Sequence, residues 1–281
     1  MVSTHDNRRP LTVLGLPAAE VVDWAAARAA LEAAAREGAL KGAHLAGADL
    51  AGIDLSGCDL TGADLAGCNL DGACLTGARF ALADLTEASL VRADATDADF
   101  QGAVLTRGRF DLAILSKADL SEVSASMSRF ECALLEGARA RNANFSEAVF
   151  DTAGLRHVDL TEARCDGASF LAADLEHANL SSSDFTASHW QDAHMRGCDL
   201  TEATFEGATL DGVDFKGAFL GKTDFSEATF HGALVRETRF LRCDLSAADF
   251  RGTEIVTDGF VDCKLDGTRW PVEDDENGEG T

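Results

Sequence analysis

The chain is 281 residues long and 46% hydrophobic, and its 48 acidic against 24 Lys plus Arg residues give a formal net charge of −24. That balance excludes disorder throughout and argues against a direct grip on nucleic-acid phosphate or an anionic membrane, so any charged partner should have a basic surface. Three Pro, no Tyr, 16 Phe and 26 Gly make a skewed alphabet of the kind an internal repeat produces.

The first segment, 1–42, contains a predicted amphipathic helix over 17–37. Pro17 stands at its start, Val21, Trp24, Ala27, Leu31 and Ala34 share one side, and Gly38 can close it. No run approaches the roughly 18 consecutive apolar residues of a membrane span, and the N-terminus lacks a long apolar core with a cleavage site, so a cytoplasmic protein is expected.

From residue 43 to residue 270 every fifth residue is apolar without one insertion or deletion. Naming that position i, it occurs 46 times from Leu45 to Trp270 and is apolar every time. Position i−2 is small, mostly Ala, as at Ala48, Ala63 and Ala103. Position i−1 is most often Asp, and i+1 and i+2 carry Thr, Ser, Glu, Gly and Arg. A helix needs a period of 3.6 and a strand a period of 2, so a period of five with two inward positions describes a chain that turns a corner every five residues. Four corners close a square coil of 20 residues. About eleven coils stacked at ~4.8 Å make a solid rod on the order of 55 Å long. The segment 271–281 that follows is an acidic tail without periodicity.

The units AGADL, TGADL and SAADF resemble the pentapeptide-repeat family, and the resemblance covers 43–270. It implies an all-β solenoid, a right-handed quadrilateral parallel β-helix filled by the i and i−2 columns, with the 17–37 helix as an N-terminal cap over an edge that would otherwise template aggregation. In the quinolone-resistance branch of the family a C-terminal helix contributes to a dimer. This chain has no such segment after Trp270, so the oligomeric state stays open and the C-terminal end is a possible contact.

Residues 20 apart stack, which places Phe110, Phe130, Phe150, Phe170 and Trp190 in one interior ladder, read as core rather than as a ligand stack. Ala95, Ala125, Ala140 and Cys165 are small at position i and should loosen their coils. Cys58, Cys68, Cys165, Cys198, Cys243 and Cys263 fall on inward positions, which leaves Cys74 and Cys132 to reach solvent as reduced thiols. His157 and His177, with Asp174, Glu176 and His194 nearby, could share a zinc. With no ligand fixed on a neighbouring wall they read better as solvated histidines, and no metal or cofactor is expected. Without a phosphate loop, a nucleophile motif or a loop insertion to build a cleft, the chain is not expected to be an enzyme.

Charge divides unevenly among the four walls. The wall that starts at Leu45 collects Asp64, Asp84, Glu87, Glu147, Asp166, Asp184, Glu206, Asp224, Glu227, Asp244 and Asp266 against Arg107, Arg164 and Lys264. One carboxylate per ~5 Å of rod is of the order of the ~3.4 Å phosphate spacing along a DNA strand. The resemblance adds that topoisomerase-protecting members of the family occupy the DNA groove of gyrase. The expected function is therefore a non-enzymatic acidic scaffold, a DNA mimic toward a DNA-processing protein such as type II topoisomerase. The alternative is a scaffold for effector loading in bacterial type VI secretion, which long unbroken repeats opened by an Ala-rich helix also resemble. A second candidate surface is a mid-rod docking belt of outward apolar residues, Val104, Leu112, Ile114, Met127 and Leu134, distributed over three faces of the same two coils.

Overall fold

The structure is a computed structural model, and it describes Leu31, residues 40–255 and residues 259–271. The predicted helix over 17–37 lies outside the described residues except for Leu31, which is helical and buried in the same apolar cluster as the rod. The acidic tail beyond Pro271 also lies outside them.

The described residues form the expected right-handed quadrilateral β-helix. Each i−1 residue pairs in parallel with the one 20 positions on, as in Asp64 with Asp84, Asn69 with Ser89, and Cys74 with Asp94. The hydrogen bonds explain why the repeat is five residues long. The N–H of Leu65 donates to the Asp84 carbonyl at 2.7 Å, and the N–H of Asp84 donates back to Ala63 at 2.9 Å. The N–H of Ala63 closes the corner on Leu60 at 3.0 Å, and that of Gly62 donates to Ala81 at 2.8 Å. One donor remains in each unit, the N–H of i+1, and the i−1 side chain takes it: Thr61 donates to Asp59 Oδ1 at 3.0 Å, Ser121 to Asp119 Oδ1 at 3.0 Å and Ser146 to Asn144 Oδ1 at 3.0 Å. The preference for Asp or Asn at i−1 is thus a backbone requirement, since an unpaired N–H would be costly.

Position i+2 takes a left-handed backbone at every regular corner, with φ of 66° at Gly62 and 57° at Glu87. Side chains other than Gly tolerate this at a cost, and β-branched ones tolerate it worst. Among the described non-Gly residues with positive φ, Thr152 alone is β-branched.

Inside, the Phe110 ladder forms as predicted. Successive ring centroids from Phe110 through Phe130, Phe150 and Phe170 to Trp190 lie 4.8, 4.8, 5.0 and 4.1 Å apart, with planes within 12° of parallel. Trp190 satisfies its indole N–H on Ser188 Oγ at 2.7 Å. Phe185, Phe205 and Phe225 make a second stack on the neighbouring wall. The small residues Ala125 and Cys165 flank Phe145 in its column, and that ring turns edge-on to Phe130 and Phe150 at 5.8 and 5.1 Å.

The corners change character toward the C-terminal end. β1 (Phe219–Gly221), β2 (Arg239–Leu241) and β3 (Phe260–Val261) form a parallel three-stranded sheet in that order, with Phe219 opposite Arg239 and Gly221 opposite Leu241. Beside them Thr223, Cys243 and Cys263 each donate a side-chain hydrogen to a carbonyl one coil below, on Leu200, Leu220 and Phe240 at 2.9, 3.1 and 3.2 Å. The inward register is kept, but burial is not complete. Leu265 is 41% and Trp270 38% exposed, and Ile255, Phe260 and Cys263 are only partly buried, because no further described coil lies over them.

Candidate partner-binding surface

The Leu45 wall gathers its predicted carboxylates on one side of the rod but not at even spacing. Asp64 pairs directly with Asp84, and Asp224 with Asp244. Between them the i−1 column runs through Val104, Ser124, Asn144, Arg164, Asp184 and Thr204. The wall is therefore two acidic patches, Asp64, Asp84 and Glu87 near the N-terminal end and Glu147 through Asp266 beyond, separated by coils in which Arg107 is the charged residue.

Its cations neutralise few of these groups. Arg107 approaches Glu87 at 3.6 Å, Arg164 Nε holds Asp166 at 2.6 Å and Lys264 Nζ holds Asp244 at 2.7 Å, while His44 lies 3.7 Å from Asp64. Asp84, Glu147, Asp184, Glu206, Asp224, Glu227 and Asp266 have no cationic partner within 4 Å among the described residues. The Leu50 wall, by contrast, spends Arg129 on both Asp111 and Glu131 and Arg251 on Asp249, and the Leu60 wall pairs Asp119 with Arg139, Asp159 with Arg141 and Glu202 with Lys222. The hydrogen bond from Arg164 holds the Asp166 carboxyl below its ordinary range. Partial burial pushes Asp244 up, but bonds from Lys264 and Ser246 outweigh it and leave its carboxyl lowered.

The i−1 carboxylates of this wall do two jobs. Asp184 Oδ1 accepts from the Thr186 N–H at 3.0 Å and Asp224 Oδ1 from the Ser226 N–H at 2.9 Å. One oxygen is committed to the corner and the charge faces outward, so the backbone fixes where these charges stand. Glu206 and Glu227, at i+1 and i+2, are exposed without that tether.

The residues of the mid-rod belt stand on three walls, as the register requires. Ile114 and Leu134 pair in adjacent coils, with Leu134 50% exposed and Ile114 half-buried. Val104 and Met127 stand on the Leu45 wall and Leu112 on the Leu50 wall, so at most two of the five can meet one flat partner. The sequence reading missed a better-grouped apolar surface at β1–β3, where Phe219 is 66% exposed beside exposed Leu241 and Val261. Phe219 occupies an i−1 position, where Asp is usual, and that anomaly was the available signal.

His157 and His177 stack with ring centroids 5.3 Å apart. Arg156 engages both Asp174 and Glu176, the acids that would have completed a site, and among the described residues no group of three or more His, Cys, Asp or Glu could hold a metal. Cys74 and Cys132 are exposed as expected, whereas Cys58, Cys68, Cys165, Cys198 and Cys243 are buried. Burial pushes the Cys68, Cys198 and Cys243 thiols up to about 12. Cys263 departs from the expectation and is only partly buried, for the reason given for Leu265. No described helix is long and apolar enough to cross a membrane.

No curated protein sequence matches the chain significantly. Among solved structures, HetL, a pentapeptide repeat protein involved in heterocyst differentiation regulation from the cyanobacterium Nostoc sp. strain PCC 7120, is 27% identical. That match covers 77% of this chain and 90% of HetL, with a TM-score of 0.25. A pentapeptide repeat protein of the Arabidopsis thaliana thylakoid lumen is 23% identical over 40% of this chain and 68% of its own, at a TM-score of 0.21. QnrB1, a plasmid-mediated fluoroquinolone resistance protein, is 20% identical over 54% and 84%, at 0.22. A family profile described as pentapeptide repeats matches in eight copies, at 40–77, 63–102, 78–116, 96–131, 128–164, 153–186, 178–217 and 223–256, and the chain belongs to that family.

Proposed function

We propose that the chain is a non-enzymatic binding scaffold whose Leu45 wall imitates the phosphate rail of DNA toward a DNA-processing protein such as type II topoisomerase. The observation that carries this reading is the run Asp184, Glu206, Asp224 and Glu227, four carboxylates on three successive coils with no cation within 4 Å among the described residues, although Arg164 stands one coil below Asp184. Two are fixed by the corner hydrogen bonds, so little ordering entropy is lost when a basic groove closes on them. Seven unpaired carboxylates on one wall also give the long-range field that steers a basic partner.

The test is a supercoiling assay with purified DNA gyrase, with and without a quinolone poison. The proposal expects the protein to inhibit supercoiling, or to reduce poison-stabilised cleavage, in a dose-dependent and salt-sensitive way. No inhibition, no protection and no co-purifying topoisomerase would overturn it, and an adaptor role in secretion would then be the reading to pursue.

A further inference from the structure

The rod carries a second surface whose chemistry is opposite to that of the Leu45 wall. On the Leu60 wall a groove of about 500 Å³ lies over three successive coils, lined by Thr201, Phe219, Gly221, Lys222, Arg239 and Leu241 among others. Its volume falls within the ~300–1,000 Å³ of ordinary ligand pockets.

Three features of the sequence build it. Gly221 stands at an i+1 position with Thr201 one coil below and Leu241 paired one coil above, so the missing side chain leaves a notch between them. Phe219 takes the place of the usual Asp and turns outward, 66% exposed, to form one side. The extended corners of β1 and β2 flatten the floor. Buried apolar area is what holds a guest in such a notch, and an exposed aromatic at its edge supplies most of that area.

The rim carries three cations, Lys222, Arg239 and Arg242, and one acid, Glu237, which lies 3.4 Å from Lys216 Nζ. Lys222 is held by Glu202 at 2.6 Å and Arg242 lies 3.9 Å from Asp262, but Arg239 has no carboxylate within 4 Å among the described residues. In this end of the rod the formal charge comes close to balance. Residues 146–215 hold 14 acids and three Lys plus Arg, whereas residues 216–271 hold nine acids and eight. A basic guest drawn to the Leu45 wall would meet like charge here, and an acidic one would not.

We infer that this groove docks an extended segment of a protein partner that carries one large apolar side chain next to acidic residues. The apolar side chain fills the notch over Gly221 against Phe219 and Leu241, and a carboxylate beside it pairs with Arg239. The inference is independent of the topoisomerase reading, because it uses another wall and the opposite charge.

The probe is a fluorescein-labelled peptide, GDDLFDDG, with GKKLFKKG as its charge-reversed control, titrated by fluorescence polarisation against the full chain. The acidic peptide should bind saturably and the lysine peptide should not. Arg239→Glu, and Gly221→Leu, which fills the notch from a position of ordinary backbone geometry, should each weaken binding by about tenfold or more. Thermal melts of both variants should match the parent, which separates loss of the site from loss of the fold. Absence of saturable binding to the parent, or equal binding by Gly221→Leu, would overturn the inference. Two other occupants would also overturn it. A dimer that Phe219→Ala converts to monomer would mean that a second copy fills the groove. Tighter peptide binding after removal of the residues beyond Pro271 would mean that the chain's own acidic tail does.

Discussion

Replacing Phe150 by Ala probes the feature on which the rod most depends, a filled interior that cannot collapse. The Phe150 ring is buried, stacked between Phe130 at 4.8 Å and Phe170 at 5.0 Å, and met edge-on by Phe145 at 5.1 Å. Truncation of a buried Phe costs ~3–5 kcal/mol, the larger values belonging to sites whose surroundings relax least. Here the neighbouring coils are held at fixed separation by bonds such as Phe150 N–H to Ser169 at 2.7 Å and Phe130 N–H to Val149 at 2.7 Å. The upper half of the range is therefore expected, about 4 kcal/mol, against less than ~0.5 kcal/mol for the exposed Phe219→Ala. Because each coil touches only its neighbours, the loss should be local before it is global. Hydrogen–deuterium exchange should show amides of the coils around residues 130–170 losing protection while those near Leu65 keep theirs. Urea unfolding followed by circular dichroism gives the total. A loss below ~1 kcal/mol, or one no larger than that of Phe219→Ala, would refute the rigid-interior argument.

Other outcomes follow from the same hydrogen bonds and burial. Asp184→Asn should leave stability nearly unchanged, because an amide oxygen can still accept from Thr186 N–H, whereas Asp184→Ala should lose about 1 kcal/mol in urea unfolding. In native protein, Cys74 and Cys132 should react with iodoacetamide at pH 8 within the time in which Cys68, Cys165, Cys198 and Cys243 stay unmodified by peptide mass mapping, since burial raises those four thiols. Asp249 is held well below its ordinary 3.8 by the Arg251 guanidinium, with Asp59, Asp119, Asp159, Asp166 and Asp244 also lowered. A lowered carboxyl stabilises the fold above its unfolded value and loses that contribution as pH falls through the folded one, so the melting temperature should drop from about pH 4 downward. Asp249→Asn should melt lower above pH 4 and show a shallower acid drop. Parallel curves for the two proteins would contradict this.

The period of five carried most of the architecture because each position has a separate physical task. Position i fills the core, i−2 must be small where coils approach, i−1 caps the i+1 N–H, and i+2 must accept a left-handed backbone. Leu65, Ala63, Asp59 and Gly62 do these jobs from purely local rules, and local rules are what a sequence displays. What escaped was collective. An average of one carboxylate per ~5 Å hid a division of the acidic wall into two patches, because Val104, Ser124 and Asn144 occupy its middle. The groove at Gly221 depends on corners that extend rather than turn. Its trace in the sequence was Phe219, an aromatic at an i−1 position where Asp is usual.

The most direct measurement is the salt-dependent affinity of a type II topoisomerase for the parent chain and for one variant, Asp184→Asn with Glu206→Gln, Asp224→Asn and Glu227→Gln. Both Asn substitutions keep the corner acceptors, so the fold and melting temperature should hold while four outward charges vanish. If the Leu45 wall is the DNA-like surface, the variant should bind at least about tenfold more weakly at low salt and lose most of its salt dependence, because screened attraction is the term removed. Equal affinity and an equal salt slope for the two proteins would contradict the assignment of that wall.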